Sequence, residues 1–104
     1  MSTLQQYDLI AAPTKAGYPY FAVVQSDLLG GLVTRIVAPL VDATKLDPLE
    51  SLWPKVAFNN STYVVLIPLM QSLRLDPSMI AIGNVGANAD AIQSSIALAF
   101  TPPS

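Results

Sequence analysis

Residues 18–40 read YPYFAVVQSDLLGGLVTRIVAPL, and this stretch decides the fold class. Its first part, residues 20–27, is aromatic and β-branched before it turns polar, which predicts a β-strand. Two leucines and a Gly-Gly dipeptide follow, and the glycines predict a turn. Residues 33–41 form the next predicted strand, where Pro39 indicates an edge position or a bulge because proline cannot donate a ladder hydrogen bond. The stretch therefore predicts a protein built mainly from antiparallel strands.

The sequence on either side predicts further short strands. They cover residues 3–10, 55–58, 63–70 and 79–83. The Asn-Asn-Ser turn at 59–61 joins the second and third of these into a hairpin. The intervening segments are rich in proline, glycine and asparagine and are typical of loops, with at most one short helical turn in residues 42–53.

Residues 88–100 (NADAIQSSIALAF) form the one predicted helix, which Asn88 or Asp90 can cap at its start. Three large apolar residues fall on one face at a spacing of four: Ile92, Ile96 and Phe100. Such a stripe more often packs on a core than forms a groove for a partner. Strands followed by one helix predict a single domain over residues 1–104, a small antiparallel β-barrel or sandwich with one C-terminal α-helix.

The composition favours a protein that docks onto other proteins. Hydrophobic residues make up 52% of the 104 residues and charged residues 12%, against about 25% charged residues in an average domain. Apolar surface left over after the core is filled predicts a protein interface, and a homodimer is the simplest way to cover it. The net charge is −2 and the five cations are scattered, which disfavours direct nucleic-acid binding.

The residue types that most catalysis needs are missing. The chain has no histidine and no cysteine, so the commonest general bases, nucleophiles and soft metal ligands are absent. The seven acidic residues have no metal-binding spacing, and the glycines form no phosphate-binding loop. We therefore expect no enzymatic activity, no metal site and no cofactor.

Arg35 and Asp27 leave one enzyme-like alternative open, because some small β-barrel toxins cut RNA with arginine, aspartate and threonine alone. The favoured interpretation is that both residues lie at strand ends in solvent or form one structural ion pair. Surface pairs of this kind are common and contribute little.

Three residues stand out as candidates for binding. Leu28 and Leu29 adjoin the two glycines. Two interpretations stand for this pair: an exposed apolar knob, or a plug at the end of the barrel. Trp53 is the single tryptophan, and a lid over the core is favoured there over an interface hot spot.

The first ten residues, MSTLQQYDLI, lack the features of a signal peptide, and the apolar runs are too short to span a bilayer. We therefore expect a soluble cytoplasmic protein without a membrane segment.

The quoted stretch closely resembles the N-terminal half of the CcdB family of toxins. The matching elements are the aromatic before the second strand, VQSD, an apolar pair, a short gap, TR, and an apolar run ending in PL. The segment DAIQSSIALAF resembles the family's C-terminal helix more loosely, and residues 42–88 match mainly in strand pattern. The resemblance covers nearly the whole chain.

This resemblance implies an SH3-like barrel with a C-terminal helix that forms a homodimer. It also implies a bacterial toxin that binds the A subunit of DNA gyrase, traps the cleaved-DNA complex and is neutralised by a cognate CcdA-like antitoxin. The toxin acts as a transcriptional corepressor in such systems, with the antitoxin supplying the DNA contacts. The family's gyrase-binding positions fall here on Leu28, Leu29, Ala97, Phe100 and Thr101.

The C-terminal residues depart from the family pattern. The family has an aromatic residue or threonine, then glycine, then an apolar residue, whereas here Thr101 is followed by Pro102, Pro103 and Ser104. Proline has a fixed φ and no N–H, so it cannot copy the glycine's flexibility. Two alternatives therefore stand beside the gyrase inhibitor: a degenerate homologue that binds antitoxin without poisoning gyrase and, on fold analogy alone, a MazF/Kid-like ribonuclease toxin that uses Arg35.

Overall fold

The computed structural model describes residues 4–11, 18–25, 34–45, 53–74 and 79–100. Over these residues the chain forms an antiparallel sheet of seven strands that curls into a nearly closed barrel, with one C-terminal helix packed on it. The predicted fold class, a mostly β barrel with a C-terminal helix, is confirmed.

The described strands precede the helix along the chain. They are β1 (Asp8–Ile10), β2 (Tyr20–Val23), β3 (Thr34–Asp42), β4 (Lys55–Phe58), β5 (Ser61–Val65), β6 (Gln71–Arg74) and β7 (Gly83–Asn84). The helix α1 spans Ala89–Phe100, and short 3₁₀ turns lie at Ala43–Lys45, Ile67–Leu69 and Gly86–Asn88. The sheet order is β4-β5-β3-β2-β1-β7, with β6 paired to β3 as a branch.

The long strand β3 lies at the centre of the sheet because it has partners on both sides. One side pairs with β2, while the other pairs with β6 at residues 34–37 and with β5 at residues 40–42. Pro39 lies between these two segments, so the predicted edge position is wrong. Its carbonyl accepts a hydrogen bond from the Leu66 N–H at 2.9 Å. In a strand, the nitrogen of a residue faces the same side as its carbonyl. The N–H that Pro39 lacks would therefore point into the gap between β6 and β5, where no strand partner needs it.

The strand β2 ends at Val23 and is followed by a β-bulge, while residues 26 and 27 of the predicted strand lie outside the described residues. The N–H groups of Val24 and Gln25 both donate to the carbonyl of Ile36, at 3.0 and 3.3 Å, so two residues oppose one. The Gln25 side chain accepts a hydrogen bond from the Ile36 N–H at 2.8 Å. It thereby satisfies a donor that the bulge would leave without a ladder partner.

The β4–β5 hairpin forms where the sequence predicts it. Asn59 and Asn60 have φ values of 54° and 64°, as a two-residue type I′ turn requires. The strand predicted over residues 63–70 ends at Val65 because a 3₁₀ turn containing Pro68 follows it. The chain then pairs with β3 as β6, a strand that the sequence pattern did not predict.

The barrel closes where β4 approaches β7. A Cβ atom built on Gly83 would lie 2.6 Å from Cε1 of Phe58, so the ring packs directly on the glycine. The side-chain amide of Asn88 donates to the carbonyl of Lys55, on the edge strand β4, at 3.2 Å. The Phe58 contact joins the end strands β4 and β7, and the Asn88 bond joins β4 to the 3₁₀ turn that follows β7. Of the strand predicted over residues 79–83, only Gly83 lies in a strand.

Both sides of the sheet are buried along β1, β2 and β3. Alternate residues point to opposite faces of a strand, and they divide into two apolar clusters. The helix-side cluster contains Leu9, Ala22, Val24, Ala38, Leu40, Val56, Val65, Ile67, Val85 and Ile92. The far-side cluster contains Leu4, Ile10, Phe21, Val23 and Val37. Cross-strand neighbours stay within one cluster, as Leu9 with Ala22 and Ile10 with Phe21 show.

Candidate protein-docking face

The helix α1 is seated on the barrel by the apolar stripe that the sequence predicted. Ile92 is fully buried in the helix-side cluster, and Ile96 is half-buried against it. The core interpretation is confirmed for these two residues. Phe100 ends the helix, but its side chain is not among those that the structure describes. Its predicted role in binding therefore stays a prediction. The last turn also carries Ala97, Leu98 and Ala99, which are exposed.

The 3₁₀ turn that leads into α1 is held at its start by the side chain of Asn84. The Asn84 Oδ1 atom accepts a hydrogen bond from the Gly86 N–H at 2.7 Å, at the 3₁₀ turn that leads into the helix. Asn88 instead uses its amide to bridge to Lys55. The Asn84–Gly86 bond joins residues two apart, so it is a local Asx turn of the kind that asparagine favours.

Two cavities lie beside α1, and most of the described residues that line them are apolar. One, of about 470 Å³, lies between α1 and the β5–β6 connection and is lined by Trp53, Ile67, Pro68, Met70 and Ala99. The other, of about 380 Å³, lies between α1 and the bulge and is lined by Val24, Gln25, Ile36, Met70 and Ile96. Because Met70 lines both cavities, we treat them as one site and call it the α1 groove.

The α1 groove suits an apolar partner surface. Among its described lining residues none is ionisable, and Gln25 is the polar one. Leu69 and Leu98 are next to lining residues in sequence and are 46% and 74% exposed. Exposed leucines beside an apolar groove are typical of a protein interface rather than of a catalytic cleft.

The five residues expected to bind a partner are only partly described. Leu28, Leu29 and Thr101 lie outside the described residues, so their predicted role stays a prediction. Ala97 lies on the exposed side of the last turn of α1. Gln25, three residues before the leucine pair, lines the same cavity as Ile96, the neighbour of Ala97. The structure thus brings the stem of the leucine-bearing segment next to the helix.

Sequence reasoning missed several residues of the groove, Met70 and Ile36 among them. Each lies in or beside a segment with an ordinary strand pattern, and nothing in periodicity distinguishes a groove residue there from a core residue. Trp53 was singled out, and it packs half-buried against the helix-side cluster, as the lid interpretation predicts.

Arg35 does not lie in solvent, so that part of the favoured interpretation is wrong. It is 3% exposed, and its Nη2 donates to the carbonyl of Leu4 at 3.4 Å. Near the start of β3, the Arg35 side chain thus reaches the N-terminal segment before β1. A guanidinium buried in this way has no access to an RNA substrate, and Asp27 lies outside the described residues.

The described residues were also compared with the patterns of metal sites and membrane-spanning helices. They contain no cluster of three or more histidine, cysteine, aspartate or glutamate residues that could hold a metal ion. Among the helices described, none is long and apolar enough to cross a membrane.

The described residues thus form a small β-barrel with a C-terminal helix and an apolar groove beside that helix. A family model described as CcdB protein matches residues 6–101. The chain therefore belongs to the CcdB family, and membership supports a toxin of a toxin–antitoxin module. No curated protein matches the chain at a significant level.

Proposed function

We propose that this toxin binds the A subunit of DNA gyrase and inhibits the enzyme, and that a cognate antitoxin neutralises it. Family membership over residues 6–101 carries the proposal. The α1 groove supports it, because the family's two contact segments follow Gln25 and Ile96, which line one cavity. A partner that touches both segments would cover the groove.

Docking rather than catalysis is the mechanism that the described residues favour. The groove is apolar, and Leu98, the sequence neighbour of its lining residue Ala99, is exposed. Burial of a few large apolar side chains at the centre of an interface supplies most of the binding free energy in typical complexes. The proposed toxin therefore acts by holding gyrase in one state, without a chemical step of its own.

The remaining partner assignments belong to the same proposal. The toxin forms a homodimer in the bacterial cytoplasm and represses its operon together with the antitoxin. It makes no direct nucleic-acid contact, which agrees with five scattered cations and a net charge of −2. The buried Arg35 gives the ribonuclease alternative no support.

A second candidate is a homologue that binds antitoxin without poisoning gyrase. Pro102 and Pro103 favour it, because they stand where the family has glycine and an apolar residue. Replacement of Pro102 by glycine and Pro103 by isoleucine, with Ser104 removed, separates the two candidates. If the natural tail is inactive, this change switches toxicity on.

The direct test measures gyrase supercoiling and the amount of cleaved-DNA complex with purified protein at micromolar concentrations. We expect inhibition by the natural chain and about a tenfold loss with Leu29→Asp or Leu98→Asp, since a charge in an apolar contact removes at least one hot-spot interaction. Thr62→Asp is the matched control, because Thr62 is exposed on β5 and does not line the groove. A natural chain that leaves both gyrase activities unchanged contradicts the proposal.

A further inference from the structure

The turn before β1 holds Tyr7 in an unusual backbone conformation. Its φ is 70°, a region in which a bulky aromatic residue is rare and unfavourable. Two backbone hydrogen bonds hold it there: the Tyr7 N–H donates to the Val23 carbonyl at 2.6 Å, and the Tyr7 carbonyl accepts from the Val85 N–H at 2.8 Å. The surrounding structure therefore fixes this conformation, and such fixed outliers indicate a role.

The side chain of Tyr7 connects this turn to the helix. The ring is half-buried against the helix-side cluster. Its Oη atom accepts a hydrogen bond from Nε2 of Gln93, in the second turn of α1, at 2.8 Å. Gln93 lies one position after the buried Ile92, so the apolar and polar attachments of α1 to the barrel are adjacent.

Neighbouring polar groups make the turn rigid at its other end. Asp8 is 8% exposed, and its carboxylate accepts from the Gln5 N–H at 2.7 Å and from the Asn84 amide at 2.8 Å. Asn84 in turn accepts from the N–H of Gly86. The start of β1 and the start of α1 thus belong to one hydrogen-bond network.

We propose that Tyr7 and Gln93 form a latch that sets how α1 is seated on the barrel. The latch is a positioning device for the last turn of the helix, which carries Ala97 and borders the α1 groove. The functional part of this inference rests on the proposed binding of gyrase through that turn. The seating itself does not, because it follows from the hydrogen bonds and the burial of Ile92.

Trp53 provides a reporter of the seating that is independent of gyrase. It is the single tryptophan of the chain, and it lines the α1 groove together with Ala99 in the last turn of α1. A shift of that turn away from the barrel exposes the indole to solvent. Quenching of Trp53 fluorescence by acrylamide therefore measures the position of α1.

The test compares Tyr7→Phe with Tyr63→Phe, because both tyrosines are half-buried against the helix-side cluster. Tyr7→Phe removes only the oxygen to which Gln93 donates. We expect it to raise the Trp53 quenching constant about twofold and to weaken gyrase inhibition by about threefold to tenfold, the size of one net hydrogen bond. Tyr63→Phe leaves both quantities unchanged.

A second pair of variants tests the other half of the latch. Gln93→Ala reproduces the effect of Tyr7→Phe, while Ser94→Ala, exposed on the next helix position, has none. The double variant Tyr7→Phe/Gln93→Ala is no worse than either single variant, because the two side chains make one interaction.

Each outcome decides the inference. Unchanged quenching in Tyr7→Phe overturns the latch, and raised quenching with unchanged gyrase inhibition overturns its positioning role. Equal losses in Tyr63→Phe show a general loss of stability and overturn the latch as well. If the natural chain does not inhibit gyrase, the proposed function fails, and the quenching comparison alone decides whether the latch exists.

Discussion

The two sides of the sheet differ in what covers them. The helix-side cluster extends from the barrel interior to α1 and ends at the α1 groove. Among the described residues the far-side cluster is smaller, and the half-buried ones packed against it are Tyr18, Leu73 and Met79. Both clusters hold fully buried side chains from the same three strands, β1, β2 and β3.

Because of this difference, the far side of the sheet is expected to affect stability alone, and the helix side to affect both stability and binding. A substitution on the far side removes packing without touching the groove, whereas one on the helix side also moves the surface proposed to bind a partner. Both kinds of substitution are expected to lower the free energy of unfolding. Only the helix-side kind is expected to weaken binding beyond the loss of folded protein.

The largest effect is expected from Phe21→Ala. Phe21 is 1% exposed in the far-side cluster, and truncation of a buried phenylalanine typically lowers the free energy of unfolding by about 3–5 kcal/mol. Urea unfolding followed by circular dichroism measures this loss. Binding per folded molecule should stay unchanged at a temperature where the variant is folded. A specific loss of binding would show that the two sides are not separate.

Ile92→Ala breaks the helix side instead. Ile92 is fully buried beneath α1, so we expect a loss of about 2–4 kcal/mol in the free energy of unfolding. The helix should also detach before the barrel unfolds, which hydrogen exchange of the α1 amides measures. Ile92→Val, expected to cost about 0.5–1.5 kcal/mol, is the matched control. If the α1 amides lose their protection from hydrogen exchange only when the barrel amides do, the helix does not detach separately, and the prediction is contradicted.

The sequence predicted the strands that form the centre of this fold because their residues are strongly apolar and β-branched. Residues 34–42 lie close to the predicted bounds of 33–41, and residues 20–23 begin where the strand predicted over 20–27 begins. The prediction failed at Pro39, since an edge and a change of strand partner look the same in the sequence. It also failed at Tyr7, where long-range hydrogen bonds override the local preference for an extended strand.

The candidate site was less predictable than the fold. Periodicity identified Ile92 and Ile96, which lie on the core face of α1, and the family resemblance identified Ala97. Met70 and Ile36 line the groove only because the 3₁₀ turn at Ile67–Leu69 and the bulge place them there. Such tertiary consequences have no local signature.

Gly83→Ala tests the closure of the barrel, where both ends of the sheet meet. The added Cβ would lie 2.6 Å from the Phe58 ring, and that ring is held edge-on against Tyr20 with centroids 5.3 Å apart. Overpacking of this kind lowers the free energy of unfolding by about 1–3 kcal/mol. The double variant Gly83→Ala/Phe58→Leu should lose less free energy of unfolding than the sum of the losses in the two single variants. Full additivity would show that the ring yields without strain.

The smallest effect is expected at Asp42, which ends β3 outside both clusters. Its Oδ1 accepts from the N–H and the hydroxyl of Thr44, at 2.9 and 2.8 Å. The backbone hydrogen bond from Thr44, followed by the hydroxyl and the charge of Lys45, lowers the pKa of Asp42 below its ordinary value of 3.8. Ionised Asp42 therefore stabilises the fold above that value, and the contribution disappears as the pH falls through the lowered folded pKa.

Unfolding between pH 2 and 6 (about the range that spans the carboxylate pKa values) measures this contribution as the difference between the natural chain and Asp42→Asn. The two should differ above the ordinary pKa and converge in acid. Thr44→Ala is the graded control, because it removes the hydroxyl but keeps the backbone N–H, the larger cause of the lowered pKa. Its acid dependence should therefore stay closer to that of the natural chain than to that of Asp42→Asn. An Asp42→Asn curve parallel to that of the natural chain at every pH would contradict the assignment, because a group that titrates differently in the two states must change the slope.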